Sequence, residues 1–270
     1  MKKVRSPAHK ALANQRNKAS PKRVFIWDLD DTLIWTSWAY SRAFAKFYEY
    51  MLQLFDYRLI ELRTLGTVSE EIDKSLKEDM NPETGKKYGY SMYRFPASLV
   101  KTYEWLCEHG YGKYQEAVAR RAKIIGMEAF DPLGYKQQGL VKGAEETLNY
   151  INKRRDIQIL ITKGEQLVQE CKIVTVNLDQ WFGDRIYIVD VKAKETFLQY
   201  REEYPNSQIF SIGNSYNSDI VPALEAGVRA IYIPYYTWLG EKPPPITDET
   251  QVLKIENIKQ IIELYKKKLI

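Results

Sequence analysis

Asp28-Leu29-Asp30-Asp31 places three carboxylates within four residues, and a hydroxyl, Thr32, follows directly. Three acids at one chain reversal would repel one another unless a cation or a shared proton compensated. Hard oxygen donors gathered in a loop suit Mg²⁺, although an Asp-X-Asp pair serves equally as a helix cap with spare surface charge. Further along, Thr162-Lys163-Gly164 offers a hydroxyl and an amine ahead of a helix start. Such a place can receive a phosphate or simply cap the helix. Lys192 and Lys194 could each neutralise a phosphate or the acid cluster, or lie solvated on the surface. Gly213-Asn214-Ser215-Tyr216-Asn217-Ser218-Asp219 is a Gly-initiated polar loop closed by a carboxylate, which suits either a metal or a helix cap. The chain has two histidines, His9 and His109, too few for histidine triads or histidine-rich metal sites. Any catalysis has to be built from carboxylates, lysines and hydroxyls.

These residues matter only if the fold brings them together. Arg23–Leu29 reads as a strand that runs into the acids. From Ser37 to Gln138 the apolar and aromatic residues recur at helical spacing, as in Ala39, Ala43, Phe47, Tyr50 and Leu54. Further helices are expected over 69–79, 97–109 and 114–125, with a turn-rich break at Asn81–Gly89. After Gly143, strands at 157–162, 186–189, 208–212 and 229–233 alternate with helices at 144–153, 166–176, 194–203 and 219–226. Gly227 closes the last of those helices, and a further one is expected over 255–268. Alternation of this kind predicts an α/β fold: a doubly wound parallel sheet covered on both faces, interrupted by an all-helical insert. The expected organisation is a basic tail over 1–22, a core over 23–36 and 139–270, and the insert over 37–138. In open α/β sheets ligands sit beyond the carboxyl ends of the strands. Each candidate group directly follows a predicted strand.

Acids, then a hydroxyl, then a lysine, then an acidic loop, each after a strand and in that order, resembles the four-motif signature of the haloacid dehalogenase (HAD) superfamily. VFIWDLDDTL resembles its first motif, ILIT its second, VKAKETF its third and FSIGNSYNSDI its fourth. The resemblance spans residues 23–234 and is specific for the superfamily rather than for any subfamily. It implies a Rossmann-like core with a helical cap between the first and second motifs. It also implies a Mg²⁺-dependent phosphatase in which Asp28 attacks phosphorus and Asp30 serves as general acid and then base. Thr162 and Lys163 would hold the phosphate, and Lys192 would orient Asp28; Lys194 is the other candidate for the motif lysine. Asp28, the backbone carbonyl of Asp30, Asp219 and Asn214 would hold the metal. Dehalogenases of the superfamily lack the second carboxylate, because a halide leaving group needs no proton, so Asp30 favours phosphoryl transfer. Two positions depart from the usual pattern. Asp31 stands where glycine is usual, and Asn214 where many phosphatases carry a second acid, which removes one negative charge from the metal site. The implied substrate is a small phosphorylated metabolite, with sugar phosphates, nucleoside monophosphates and glycolate-like acids all open. Trp35, Trp38 and Arg94 could line its entrance, or simply pack in the cap. A phosphotransferase or mutase using the same intermediate, and a catalytically weak binding protein, are the alternative readings.

The net charge of +5 is unevenly placed. Residues 1–27 hold eight basic residues and no acid, leaving 32 basic against 35 acidic residues elsewhere, a net of −3. The tail reads as a solvated arm; contact with nucleic acid through residues 1–22 and a transit peptide are the other readings. No apolar stretch approaches the ~18 residues that a membrane span needs. Cys107 and Cys171 stand far apart without metal-like spacing, which fits a reduced, cytoplasmic environment.

Overall fold

The computed structural model describes residues 2–3, 22–59, 61–235 and 250–270. They divide into two compact units, one of residues 1–35 and 138–270, the other of residues 36–137. The first is a sheet whose element β1 (Lys2–Lys3) lies at one edge and β2 (Arg23–Trp27) at the centre. Lys2 and Lys3, expected within a flexible arm, pair antiparallel with residues 187–188. Residues 4–21, with the rest of the proposed nucleic-acid contact, fall outside the described residues.

The second unit contains α1 (Thr36–Leu54), α2 (Leu62–Leu76), α3 (Arg94–Glu108) and α4 (Glu116–Met127); α5 (Pro132–Gln138) ends at its boundary. The expected all-helical composition needs one amendment. Met80–Asn81 (β3) and Lys86–Lys87 (β4) form a short antiparallel hairpin, because the turn-rich stretch between α2 and α3 closes on itself through Gly85, whose φ is +65°. α1 buries Ala43, Phe44, Phe47 and Met51, so its apolar stripe runs beside the expected one. α4 approaches α3 closely: a Cβ on Gly126 would stand 2.6 Å from Pro96 Cα. Arg94 is committed within this unit, forming a two-armed ion pair with Asp73 at 3.0 Å. Of the two readings of Arg94, this pairing agrees with packing within the helical unit.

The remaining elements build the core: α6 (Ala144–Asn152), β5 (Ile157–Lys163), α7 (Gln166–Thr175), α8 (Asp179–Phe182), β6 (Ile186–Val189), α9 (Lys194–Glu203), β7 (Gln208–Gly213), α10 (Val221–Glu225), β8 (Arg229–Tyr232), β9 (Val252–Lys254) and α11 (Gln260–Lys266). Strand order is β1-β6-β5-β2-β7-β8-β9, and every pairing except that of β1 is parallel. From β2 the chain winds outward through β5 and β6, then returns to β7 on the other side of β2 and continues outward. Strand order therefore reverses between β2 and β7, which opens a crevice at their carboxyl ends. β2 is buried on both faces from Val24 to Trp27, as a central parallel strand must be. Val24 and Ile26 pack with Ile159, Ile161, Ile209 and Phe197 on one face. On the other face Phe25 stacks on Phe210 at 5.6 Å.

The fourth-motif helix differs from expectation. Tyr216–Ile220 is a π-type turn, and α10 begins only at Val221. Val221 donates its N–H to Tyr216 C=O across the wide turn, and Pro222 has no N–H to give. Gly227 follows α10 with φ +69°, as a C-terminal glycine should. Among the described residues no helix is long and apolar enough to cross a membrane.

Candidate active site

Four strand ends converge. Asp28 leaves β2 with its N–H on Ile212 C=O of β7 (2.9 Å), so its side chain starts from rigid sheet rather than from loop. The turn behind it is closed by Asp31 N–H to Ile34 C=O (2.7 Å). Asp31 adopts φ +56°, a left-handed conformation that aspartate tolerates better than most residues. It can therefore stand where glycine is usual. Thr32 places its hydroxyl 3.1 Å from Asp28 Oδ2 and 3.3 Å from Asn214 Oδ1. With one proton, it donates to one of them at a time.

Lys192, from the loop after β6, is buried at the centre. Its ammonium donates to Asp28 Oδ1 at 2.5 Å and to Asp219 Oδ1 at 2.7 Å. Lys194 begins α9 and is exposed, so of the two lysines Lys192 is the one brought to the acids. Asp219 is held from three sides. Its Oδ2 accepts from Ser215 N–H (3.0 Å), its N–H donates to Ser215 C=O (2.9 Å), and its C=O accepts from Ser211 Oγ (2.7 Å). The π-type turn folds its carboxylate back onto Gly213, where a Cβ would stand 2.2 Å from Oδ2. Only glycine fits there.

Burial and the neighbouring Asp219 carboxylate push Asp28 from an ordinary 3.8 up to about 7, with Lys192 opposing and Asp30 adding to the rise. Burial works against the charge on Lys192, but Asp219 and Asp28 outweigh it and hold the ammonium well above its usual range. The cluster thus retains an excess of negative charge.

A second constellation gathers around Asp30. Lys172 donates to Asp30 Oδ1 and Gln169 Nε2 to Asp30 Oδ2, each at 2.8 Å. The same Gln169 nitrogen lies 3.1 Å from Thr162 Oγ1 and 2.8 Å from Lys163 C=O. Lys163 extends from β5 and donates to Ser218 Oγ at 3.0 Å. The Asp30 carboxylate faces α7, so any part Asp30 plays in holding a cation rests on its backbone carbonyl. Gln169 and Lys172 are absent from the candidates read in the sequence, whereas Thr32 stands in the first cluster without an assigned role. Gln169 and Lys172 lie three residues apart on the buried face of α7 beside Ile173; in the sequence their polarity reads as solvated surface.

Among the described residues no three His, Cys, Asp or Glu side chains are arranged to hold a metal ion. Two buried carboxylates, Asp28 and Asp219, and the Asn214 amide oxygen are nonetheless the donor set Mg²⁺ accepts. That ion commonly takes one or two carboxylates and completes its shell with water and substrate phosphate. The residues fit it.

A buried aspartate, a paired lysine and a second carboxylate at the switch point of the sheet mark the class of doubly wound α/β proteins with an acid-lined crevice beyond the strand ends. Within that class the chain carries the HAD fold with an inserted cap unit. A HAD-like hydrolase from Xanthomonas campestris superimposes with a TM-score of 0.67 at 22% identity, covering 92% of this chain and 96% of its own. The HAD-hydrolase YfnB of Bacillus subtilis, bound to magnesium, gives 0.54 at 17% identity, covering 90% and 98%. A 2-haloacid dehalogenase from Pseudomonas syringae gives 0.51 at 18% identity, covering 91% and 98%. No family model and no curated protein sequence matches the chain.

Proposed function

We propose that this protein is a Mg²⁺-dependent phosphatase that hydrolyses a small phosphomonoester through an aspartyl-phosphate on Asp28. The observation that carries the reading is the Asp28–Lys192–Asp219 cluster with Asp30 two residues beyond the nucleophile. Lys192 fixes one oxygen of Asp28, leaving Oδ2, where Thr32 lies, as the oxygen aimed at phosphorus. As Asp28 attacks, the ester P–O bond breaks and Asp30 gives its proton to the departing alkoxide. Water then attacks phosphorus and gives its proton to Asp30; the P–O bond to Asp28 breaks, and phosphate leaves. The Thr162 hydroxyl and the Lys163 amine serve the phosphoryl oxygens, and Lys192 compensates charge as it shifts from Asp28. A bound Mg²⁺ supplies the positive charge that lets a carboxylate approach a phosphate dianion.

Asp30 also weighs against halide displacement, which needs no protonated leaving group, although a dehalogenase shares the fold. The test is phosphate release from p-nitrophenyl phosphate and a panel of small phosphomonoesters, with Mg²⁺ or EDTA, by wild type and Asp28→Asn. Mg²⁺-dependent release abolished by Asp28→Asn is the expected result, and the panel ranks substrates. Release that Asp28→Asn leaves unchanged would overturn the assignment.

A further inference from the structure

We infer that Gln169 and Lys172 of α7 are positioning residues that clamp Asp30 for both proton transfers; the inference rests on the phosphatase reading and deepens it. Both Asp30 oxygens are occupied, one by each residue, at 2.8 Å. A carboxyl group held at both oxygens has lost its freedom about χ1 and χ2, while each oxygen keeps a second lone pair to carry the transferred proton, and an acid–base group acts only within hydrogen-bond reach of the atom it serves. The clamp is itself built in. Lys172 and Gln169 are 3% and 2% exposed, so neither is a surface side chain that happens to reach inward.

Gln169 couples Asp30 to the phosphate side of the site. Its amide carries two protons and faces three acceptors: Asp30 Oδ2, Lys163 C=O and Thr162 Oγ1. When it donates to Thr162 Oγ1, the single Thr162 proton is left to point at a phosphoryl oxygen. One side chain thus sets the acid–base group and the phosphate ligand in register. Gly164 makes room for it: φ there is +146°, and a Cβ would stand 2.8 Å from Gln169 Nε2. The chain turns after β5 in a conformation that glycine favours, and the amide lies in the space a side chain would fill.

The two half-reactions make the clamp separable from a general structural role. p-Nitrophenolate departs without a proton, so with that substrate Asp30 is needed only when water attacks the aspartyl-phosphate. An alkoxide from an alkyl phosphate such as glycerol 2-phosphate needs Asp30 in both steps. The experiment compares wild type with Lys172→Met, which keeps the bulk of the side chain and removes its charge, and with Gln169→Leu. With p-nitrophenyl phosphate the variants should release a rapid burst of about one nitrophenolate per enzyme, followed by a steady rate lowered ~10²-fold or more. With glycerol 2-phosphate there should be no burst, and kcat should fall further while KM changes little. Equal losses on both substrates without a burst, or no loss at all, would overturn the clamp. A second measurement does not need turnover: crystal structures of both variants should show Asp30 in more than one rotamer while Asp28, Lys192 and Asp219 keep their places. A single unchanged Asp30 rotamer would also overturn it. Failure of wild type to turn over any phosphomonoester would instead count against the phosphatase reading, and the crystallographic arm would still decide the clamp.

Discussion

Asp28, the proposed nucleophile, is buried beside another carboxylate, and the cost of that arrangement sits in the folded state. Asp28 binds its proton more tightly when folded, with a value of about 7 against an ordinary 3.8. Between those two values the folded protein holds more protons than the unfolded chain, so stability falls as pH rises through that window. Asp28→Asn removes both the titration and the repulsion. In EDTA, the stability advantage of Asp28→Asn over wild type should be smallest near pH 4, grow up to about pH 7, and level off above. Thermal melts of both proteins across pH 4–8 read this directly, and a constant difference would show that Asp28 is not under charge stress. Lys192 provides the opposite test. Without it Asp28 and Asp219 face each other uncompensated, so Asp28 keeps its proton to higher pH and the deficit deepens as pH rises. Lys192→Met should cost about 3–5 kcal/mol above pH 7, as loss of one partner of a buried ion pair does, and less at pH 5. Chemical denaturation at the two pH values checks the trend.

At the scale of elements, the site depends on how β7 hands over to α10. The π-type turn brings Asp219 back against Gly213, so Gly213→Ala would drive a methyl into the Asp219 carboxylate. The contact cannot be relieved by rotating the carboxylate alone, since its oxygens are held by Ser215 N–H and Lys192. The variant should lose the Mg²⁺ dependence of its thermal stability and about 1–3 kcal/mol of stability, as read by melts with and without Mg²⁺. A Gly213→Ala protein that still gains stability from Mg²⁺ would remove Asp219 from the cation's shell.

Much of this architecture was legible in the sequence, because strands buried on both faces read as apolar runs that stop where polar site residues begin. IWDLDD, ILITK and FSIGN mark three carboxyl ends in that way, and α9 and β6 fall on the expected residues. Periodicity cannot show a local departure from the α-helical ladder, which is why the sequence predicts a polar loop running into a helix at Asp219 where the structure has a π-type turn over Tyr216–Ile220. β9 spans only Val252–Lys254 and owes its strand form to pairing with β8. Gln169 and Lys172 were illegible as site residues for a related reason. A glutamine and a lysine on a helix ordinarily read as solvated surface, and only the placement of α7 against Asp30 turns them inward.

At the scale of the whole molecule, the two units divide the labour unevenly. Asp28, Asp30, Thr32, Thr162, Lys163, Gln169, Lys172, Lys192, Asn214 and Asp219 all belong to the unit of residues 1–35 and 138–270, and none to residues 36–137. Each unit also has its own buried core, Phe25, Leu160 and Phe210 in one and Phe47, Leu99 and Tyr103 in the other. The two ends at which the helical unit joins the sheet are adjacent, since Val141 donates its N–H to Leu33 C=O at 2.8 Å. Inserted units with neighbouring ends can be removed with little loss of closure entropy. Replacing residues 36–137 by a short Gly/Ser linker should therefore leave a folded sheet unit with the Asp28–Lys192–Asp219 cluster in place. That protein should still release nitrophenolate from p-nitrophenyl phosphate in an Asp28-dependent manner. Its kcat/KM values across the phosphomonoester panel should draw together, because discrimination among substrates would have been lost with the helical unit. A shortened protein that folds, by circular dichroism and a cooperative melt, yet shows no Asp28-dependent release would mean that the chemistry itself requires residues 36–137. One that keeps the full-length ranking of substrates would place selectivity in the sheet unit, where the pocket of ≈ 430 Å³ lined by Asp31, Trp35 and Tyr235 would be the place to look.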